Sequence, residues 1–370
     1  MKYDFVFWID DINLHLSDLI RLLSEKRNVL VIAHKHFSEE RRNSGWYIPS
    51  LGNAKLITEP TDSVLKNAVD SNLKAIHIFL GINGFKRVYK GFKYAVSKKV
   101  KIGVISESGI NLGIKGKLRK IKFIINAIRF GNKIDFILVI GDLGMKWFTD
   151  SFYPKNKLYA FLYVVANDNS KLEDHKKSND ENVNLVVVAQ CIKRKNISLL
   201  LRSLSNQKKT SWNLTIIGEG NLKHKLINLT KELRLEDQIN FLGMIPNKAV
   251  RNHLKFSDLC ILPSKWDGWG AIVNESLMSG TPVICSNTCG SSCLIDGEVR
   301  GGVFKSNSID SLDEVLSKWI AKGKVDIYSR REIIKWAECL SGDLVSDYLL
   351  DIVEYVYSDK STSKPLEPWR

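Results

Sequence analysis

The chain has 370 residues, 44% of them hydrophobic, with 55 Lys and Arg against 40 Asp and Glu and a formal net charge of +15. That length suits two domains with ordinary cores, and no apolar run approaches the ~18–20 residues of a membrane span. The opening MKYDFVFWIDD has no basic stretch leading into an apolar one, so no secretion signal is expected, and the six cysteines read as thiols of a reducing cytoplasm.

The charge is uneven: residues 1–165 carry 27 basic and 14 acidic side chains, residues 166–370 carry 28 and 26. In the first half, β-branched runs at Asp4–Trp8, Asn28–Ala33, Ala75–Leu80, Lys101–Ser106 and Asp135–Ile140 alternate with helical patterns. This predicts a parallel sheet covered by helices. Polar groups at strand ends make Asp10, Asp11, Gly81, Asn83, Glu107 and Gly141 candidates for binding, with Glu107 the favoured acid. His34, His36 and His77, at or near strands, read as packed structural residues.

Gly113–Lys133, GIKGKLRKIKFIINAIRFGNK, holds seven basic residues and no acid. At helical spacing Leu118, Ile121, Ile124, Ile125 and Ile128 form a stripe expected to pack on the domain. Lys117, Arg119, Lys120, Lys122 and Phe123 are then expected to face outward, either as a solvated lysine-rich face or toward an anionic membrane surface that would attract it at about 1 kcal/mol per basic residue. Nucleic acid fits less well, because exposed aromatics are not interleaved among these cations.

Asn167–Glu181, NDNSKLEDHKKSNDE, reads as a linker. The second half repeats the alternation, with strands expected at Asn184–Ala189, Asn213–Ile217, Gln238–Leu242, Leu259–Leu262 and Val283–Cys285. The expected domains are 1–165, a linker at 166–182, 183–335, a C-terminal helix at 336–358 packing back toward the first domain, and a frayed tail at 359–370. Helical spacing extends over Ile333–Tyr357. The architecture is α/β, two doubly wound Rossmann-like domains facing a cleft.

The loops after the second-half strands carry the chemistry. The first contains Gln190 and then Lys193-Arg194-Lys195, three cations together that a nucleoside diphosphate would offset, the alternative being a lysine-rich surface turn. The second is Gly218-Glu219-Gly220, whose glycines permit a close approach to a ligand or a tight turn. The third strand ends at Met244-Ile245-Pro246, a bend where backbone could meet a base edge. The fourth loop, SKWDGWGAIVNESLMSGTPV from Ser264, places Asp267 and Glu275 eight positions apart around Gly268-Trp269-Gly270. A helix starting near Ala271 presents N–H groups to a phosphate, and Glu275, one turn in, can accept two hydrogen bonds from a vicinal diol such as a ribose. The alternative at this point is a strand–loop–helix unit with solvated acids.

Taken as a series, K-R-K, G-E-G, F-L-G-M-I, L-P-S, the acidic pair and G-T-P-V-I resemble the retaining GT-B glycosyltransferases of family 4 over Asn184–Gly302. The resemblance implies that Glu275 binds the ribose, Asp267 the donor sugar's hydroxyls and Lys195 the diphosphate. Gly270, Ala271 and Ile272 would offer backbone N–H groups, and Arg194 and Gln190 would stand beside the phosphates. Two departures are visible: Asp267 stands where Glu is commoner, and Ala189-Gln190 where Gly-Arg is frequent. No D-x-D triplet occurs, so no metal or other cofactor is expected.

The expected activity is metal-independent transfer of a sugar, with retention, from a nucleotide sugar to a lipid-linked oligosaccharide in bacterial surface polysaccharide assembly. The enzyme would be cytoplasmic and peripheral on the anionic inner leaflet, with no nucleic-acid partner. The alternatives are a sugar-nucleotide epimerase or phosphorylase on the same plan, or a non-enzymatic basic binding protein.

Overall fold

The computed structural model describes residues 3–12, 14–35, 49–110, 113–165, 181–207, 211–358 and 363–370. His36, nearly all of the expected linker (166–180) and residues 359–362 of the tail lie outside these. The chain divides into two compact units: residues up to Ala166 joined by Cys339–Arg370, and a second unit ending at Glu338.

Unit 1 is built on β1 (Phe5–Ile9), β2 (Val29–Ala33), β3 (Lys55–Thr58), β4 (Ile76–Leu80), β5 (Lys101–Ser106), β6 (Phe136–Ile140) and β7 (Leu158–Phe161). They form one parallel sheet in the order β3-β2-β1-β4-β5-β6-β7. The helices are α1 (Leu14–Lys26), α2 (Asp62–Asp70), α3 (Lys86–Ser97), α4 (Gly113–Phe130) and α5 (Gly141–Thr149). β1 and β6 are buried at every position, as strands covered by helices on both faces must be. Succession reverses between β1 and β4, so the loops after these strands, carrying Asp10, Asp11, Gly81 and Asn83, flank the switch point where such sheets open to ligands.

Unit 2 repeats the plan with β8 (Val183–Val188), β9 (Trp212–Ile217), β10 (Ile239–Gly243), β11 (Leu259–Leu262), β12 (Val283–Ser286) and β13 (Gly301–Phe304), in the order β10-β9-β8-β11-β12-β13. Its helices are α6 (Ile197–Ser205), α7 (Lys223–Glu232), α8 (Asn247–Phe256), α9 (Ile272–Met278), α10 (Ile309–Ala321) and α11 (Ile327–Ala337). Here the switch point falls between β8 and β11.

Three strands escaped the sequence. β3 is an edge strand whose Lys55 and Leu56 are exposed, so it lacks a buried apolar run. β7 is only four residues, LYAF. β13 opens on two glycines, and a Cβ on Gly301 would come within 1.8 Å of the Val283 carbonyl oxygen, so side chains that mark a strand cannot occupy it.

The continuous helix expected over Ile333–Tyr357 is two helices. α11 ends at Ala337, and α12 (Gly342–Tyr357) restarts after Ser341, whose hydroxyl accepts from the Leu344 N–H. Gly342 lets α12 seat closely on α1, since a Cβ there would press on the Leu22 side chain at 2.4 Å. Lys26 and Asp347 pair at 2.6 Å across these helices. The expected fraying of the tail is also corrected. Trp369 is buried edge-on against Tyr348, and the Lys364 amine donates to the Leu158 carbonyl at 2.8 Å. One aromatic anchor and paired cations hold a segment whose composition alone reads as polar.

The largest correction concerns α4, where Lys117 and Lys122 are exposed as expected but Arg119, Lys120 and Phe123 are partly buried. Phe123 points inward, edge-on to Trp147 and Phe148 with centroids 5.5 Å away. The Lys120 amine donates to the Trp147 carbonyl, and Arg119 donates to that of Ile110, both at 3.0 Å. Leu118, Ile121, Ile125 and Ile128 are exposed instead, leaving Ile124 half-buried. The helix has two apolar faces, and the aromatic pocket under Phe123 and Phe130 outcompetes the aliphatic one for the sheet.

Candidate functional site

The site in unit 2 is built on the loops that leave β8 and β11 at the switch point. After β8 the chain turns through Ile192–Lys195, and Asn196, at φ 55°, starts α6. After β11 it passes Ser264 to Asp267. The Lys265 N–H donates to the Arg194 carbonyl at 2.8 Å, which fixes the two loops against each other.

Asp267 is the centre of this junction, 9% exposed. Its Oδ1 pairs with Arg194 at 3.1 Å, and its Oδ2 pairs with the Lys195 amine and accepts from the Ser264 hydroxyl at 3.2 Å. The guanidinium of Arg194 also donates to the Trp266 carbonyl at 3.1 Å. Two of the three cations therefore converge on one acid, while Lys193 and Gln190 are exposed. The loop after β12 closes the third side, where the Asp267 N–H donates to the Thr288 carbonyl and the Gly290 N–H to that of Asp267, both at 3.1 Å.

Gly270 holds φ 92°, and a Cβ there would come within 2.8 Å of Leu262, so the turn into α9 requires glycine. Trp269 is buried, its indole N–H donating to Asn274 Oδ1 at 2.9 Å, and its carbonyl accepts from the Ser291 hydroxyl at 2.7 Å. Helix α9 is seven residues long, between its N-cap Ala271 and its C-cap Ser279, and Gly280 at φ 76° ends it. The N–H groups at its start have no intrahelical acceptor.

Glu275 lies in the first turn of α9. Its side chain reaches solvent in part, but protein atoms enclose the carboxyl. Desolvation pushes its pKa from 4.5 up to about 7, against the pull of the Arg251 charge. A carboxyl poised there accepts hydrogen bonds as an anion only when donors arrive to offset its burial.

The G-E-G loop resolves the choice left open by its sequence. A Cβ on Gly218 would lie 2.1 Å from the Ala189 carbonyl oxygen, and one on Gly220 2.5 Å from that of Cys191. Cys191 donates to the Glu219 carbonyl, and Leu222 donates back to Cys191. These glycines serve loop-against-loop packing, and the close approach is to protein backbone. Met244, at the next strand end, is 44% exposed.

Sequence reasoning did not single out the hydroxyls of Ser264 and Ser291 or the Arg251 charge. Ser264 sits inside the L-P-S signal. Arg251 lies on α8 in no motif, and only folding brings it near Glu275.

In unit 1 the singled-out residues scatter along the strand ends. Asp10 pairs with Lys35 at 2.8 Å, and Asn83 donates to Asn126 Oδ1 at 3.2 Å. Glu107 is hydrogen-bonded to the Tyr163 phenol, whose pKa burial and this acid raise well above its usual value. His77 is structural: its Nδ1 accepts from the Trp8 indole at 3.2 Å, and its Nε2 faces the Asn72 carbonyl at 3.0 Å. His34 is also buried, yet among the described residues neither ring nitrogen has a hydrogen-bond partner.

Residues 168–337 match the family described as Glycosyl transferases group 1. Among curated proteins the chain is similar to an uncharacterized glycosyltransferase of Haemophilus influenzae, 28% identical over 154 residues, 41% of this chain and 43% of that one. It is also similar to the UDP-Gal:alpha-D-GlcNAc-diphosphoundecaprenol alpha-1,3-galactosyltransferase of Escherichia coli, 30% identical over 143 residues, 37% of this chain and 36% of that one. The chain thus spans about two fifths of the length of these relatives.

Among solved structures it is similar to the lipopolysaccharide outer core galactosyltransferase WaaB in its apo form (TM-score 0.70, 15% identity, 94% of this chain and 98% of that one). It is likewise similar to HepE of Anabaena in complex with UDP (TM-score 0.73, 11% identity, 96% and 100%). The fold is that of two parallel-sheet, Rossmann-like domains of the GT-B type. The residues matched by that family model fall in unit 2.

Proposed function

We propose that the protein is a glycosyltransferase that moves a sugar from a nucleotide-sugar donor to a saccharide acceptor with retention, in the manner of glycosyltransferase family 4. The observation that carries this reading is the meeting of Arg194, Lys195 and Asp267 at the β8–β11 switch point, one short loop before Glu275. In the reaction the bond from the anomeric carbon to the diphosphate oxygen breaks. The acceptor hydroxyl oxygen bonds to that carbon on the same face, its proton is released, and the nucleoside diphosphate departs.

Lys195 and Arg194 neutralise charge growing on the diphosphate, without a metal ion, joined by the N–H groups of Gly270, Ala271 and Ile272 at the start of α9. Glu275 accepts from the ribose diol, and Met244 lies beside the base. Asp267 holds the two cations together and offers its remaining lone pairs to the donor sugar's hydroxyls. Gln190 stands at the mouth of the same loop. On the acceptor side we assign Asp10, Asp11, Asn83 and Glu107, the polar groups at the strand ends of unit 1.

A relative that acts on a diphosphoundecaprenol-linked sugar, and others named for O-antigen biosynthesis, support a lipid-linked acceptor in bacterial polysaccharide or lipopolysaccharide assembly. The reaction would then run at the inner face of the cytoplasmic membrane.

The test is a thermal-shift screen across UDP-, GDP-, ADP- and dTDP-sugars, followed by transfer assays with the nucleotide that stabilises the protein. One class should raise the melting temperature, and Glu275→Ala should abolish both the shift and transfer. Stabilisation by none, or unchanged transfer in Glu275→Ala, would sink the reading.

A further inference from the structure

We propose that α4 of unit 1 is an interfacial anchor, lying flat on an anionic lipid bilayer with Ile114, Leu118, Ile121, Ile125 and Ile128 sunk among the acyl chains. These positions recur at intervals of four, three, four and three, which makes a single row along the helix. Their exposure runs from 47% at Ile125 to 78% at Ile114 and Ile128. The row is as long as the helix, 18 residues or about 27 Å. A soluble surface seldom leaves so continuous an aliphatic strip in water.

The row cannot be turned inward. The opposite face, Gly116, Phe123, Ala127 and Phe130, is committed to the core, with Phe130 edge-on to Phe92 at 5.2 Å and Phe123 to Trp147 at 5.5 Å. The charges identify the occupant. Lys115, Lys122 and Arg129, seven residues apart, line one flank of the row, and Lys117 lines the other; the helix contains no acid. A second copy of α4 docked on this row would set six cations against six, whereas anionic headgroups reverse the sign of that interaction. Among the described residues no helix is long and apolar enough to cross a membrane, so α4 lies in the interface. This inference stands on α4 alone and is independent of the reading of unit 2.

The sequence pattern by itself put the basic residues and Phe123 toward the membrane and the isoleucines toward the core. The two arrangements differ in a measurable way. A purely basic face is released by salt, whereas an inserted aliphatic row retains part of its binding.

The experiment is co-sedimentation of the full chain with vesicles of about 30% phosphatidylglycerol in phosphatidylcholine at about 0.15 M and 0.5 M salt, with sedimentation velocity in the absence of lipid. Wild type should bind the vesicles, keep a measurable fraction bound at the higher salt, and sediment as a monomer. Ile121→Asp/Ile125→Asp should weaken binding at least about tenfold, and Lys115→Gln/Lys122→Gln should weaken it mainly at low salt. Both pairs are exposed, and unchanged circular dichroism and melting temperature would verify folding. Unaltered vesicle binding by the isoleucine pair, no binding by wild type, or a wild-type dimer that the isoleucine pair dissolves would each overturn the proposal.

Discussion

At the scale of single residues, the proposed function makes Asp267 the group that sets how a nucleotide-sugar donor would be held. Its two oxygens occupy Arg194 and Lys195, the cations a diphosphate needs, so ligand and acid compete for the same charges. Lys195→Ala should weaken nucleoside diphosphate binding roughly 10–100-fold, the worth of one charge-assisted contact. Asp267→Asn keeps the shape and removes the competitor, so diphosphate affinity should rise several-fold while transfer falls. Titration calorimetry with the stabilising nucleotide separates the two, and a loss of affinity in Asp267→Asn would show that the acid does not compete.

Glu275 adds a pH signature. Its carboxyl is raised to about 7; if it binds the ribose diol as proposed, it must be ionised to do so, and nucleotide affinity should climb between pH 6 and 8, by up to about tenfold per pH unit below that pKa. The variant Glu275→Gln should flatten the profile. Because the folded pKa lies above the unfolded one, this carboxyl favours the folded state most below 4.5 and loses that contribution as pH rises through 7. The loss is on the order of 3 kcal/mol.

At the scale of elements, the loops are fixed by what touches them from outside their own strand. Gly220, at φ 156° with the Cys191 carbonyl beneath it, shows the constraint. Gly220→Ala should destabilise unit 2 by roughly 2–4 kcal/mol and displace Arg194 and Lys195 along with the loop. Helix α9 is anchored in the same fashion by a buried group. Arg330, 3% exposed, donates to the Ser257 carbonyl at 2.8 Å and to Asp258 at 3.2 Å, and its own backbone lies under Gly280. Removing one partner strands the other charge, so Arg330→Ala should cost about 3–5 kcal/mol. Urea titration followed by Trp fluorescence measures both.

Across the whole molecule, two parallel sheets built on the same plan carry opposite acid responses. His34 and His77, both in unit 1, are pushed by burial from 6.5 to about 4. They bind protons when unfolded but not when folded, so their stabilisation is complete above 6.5 and is lost as pH falls toward 4, about 1.4 kcal/mol per pH unit for each. Hydrogen exchange between pH 6.5 and 4.5 should show β1, β2 and β4 losing protection, while α9 gains the part of its stability owed to protonated Glu275. Equal losses in both units would refute these assignments.

The residue types and their order determined a good deal unaided. Buried β-branched runs announced ten of the strands, and K-R-K and the Asp267–Glu275 turn announced loops that meet, because a parallel sheet delivers every such loop to one edge. What the sequence could not rank was one burial choice against another. In α4 both faces are apolar, and only the pocket formed by Trp147, Phe148 and Phe92 made the aromatic face the buried one. Edge strands without apolar runs, the break at Ser341 and the docking of Trp369 were hidden for the same reason. The tertiary structure alone decided that Asp267 meets Arg194 and Lys195 and that Glu275 is enclosed, since both depend on strands far apart in sequence lying side by side.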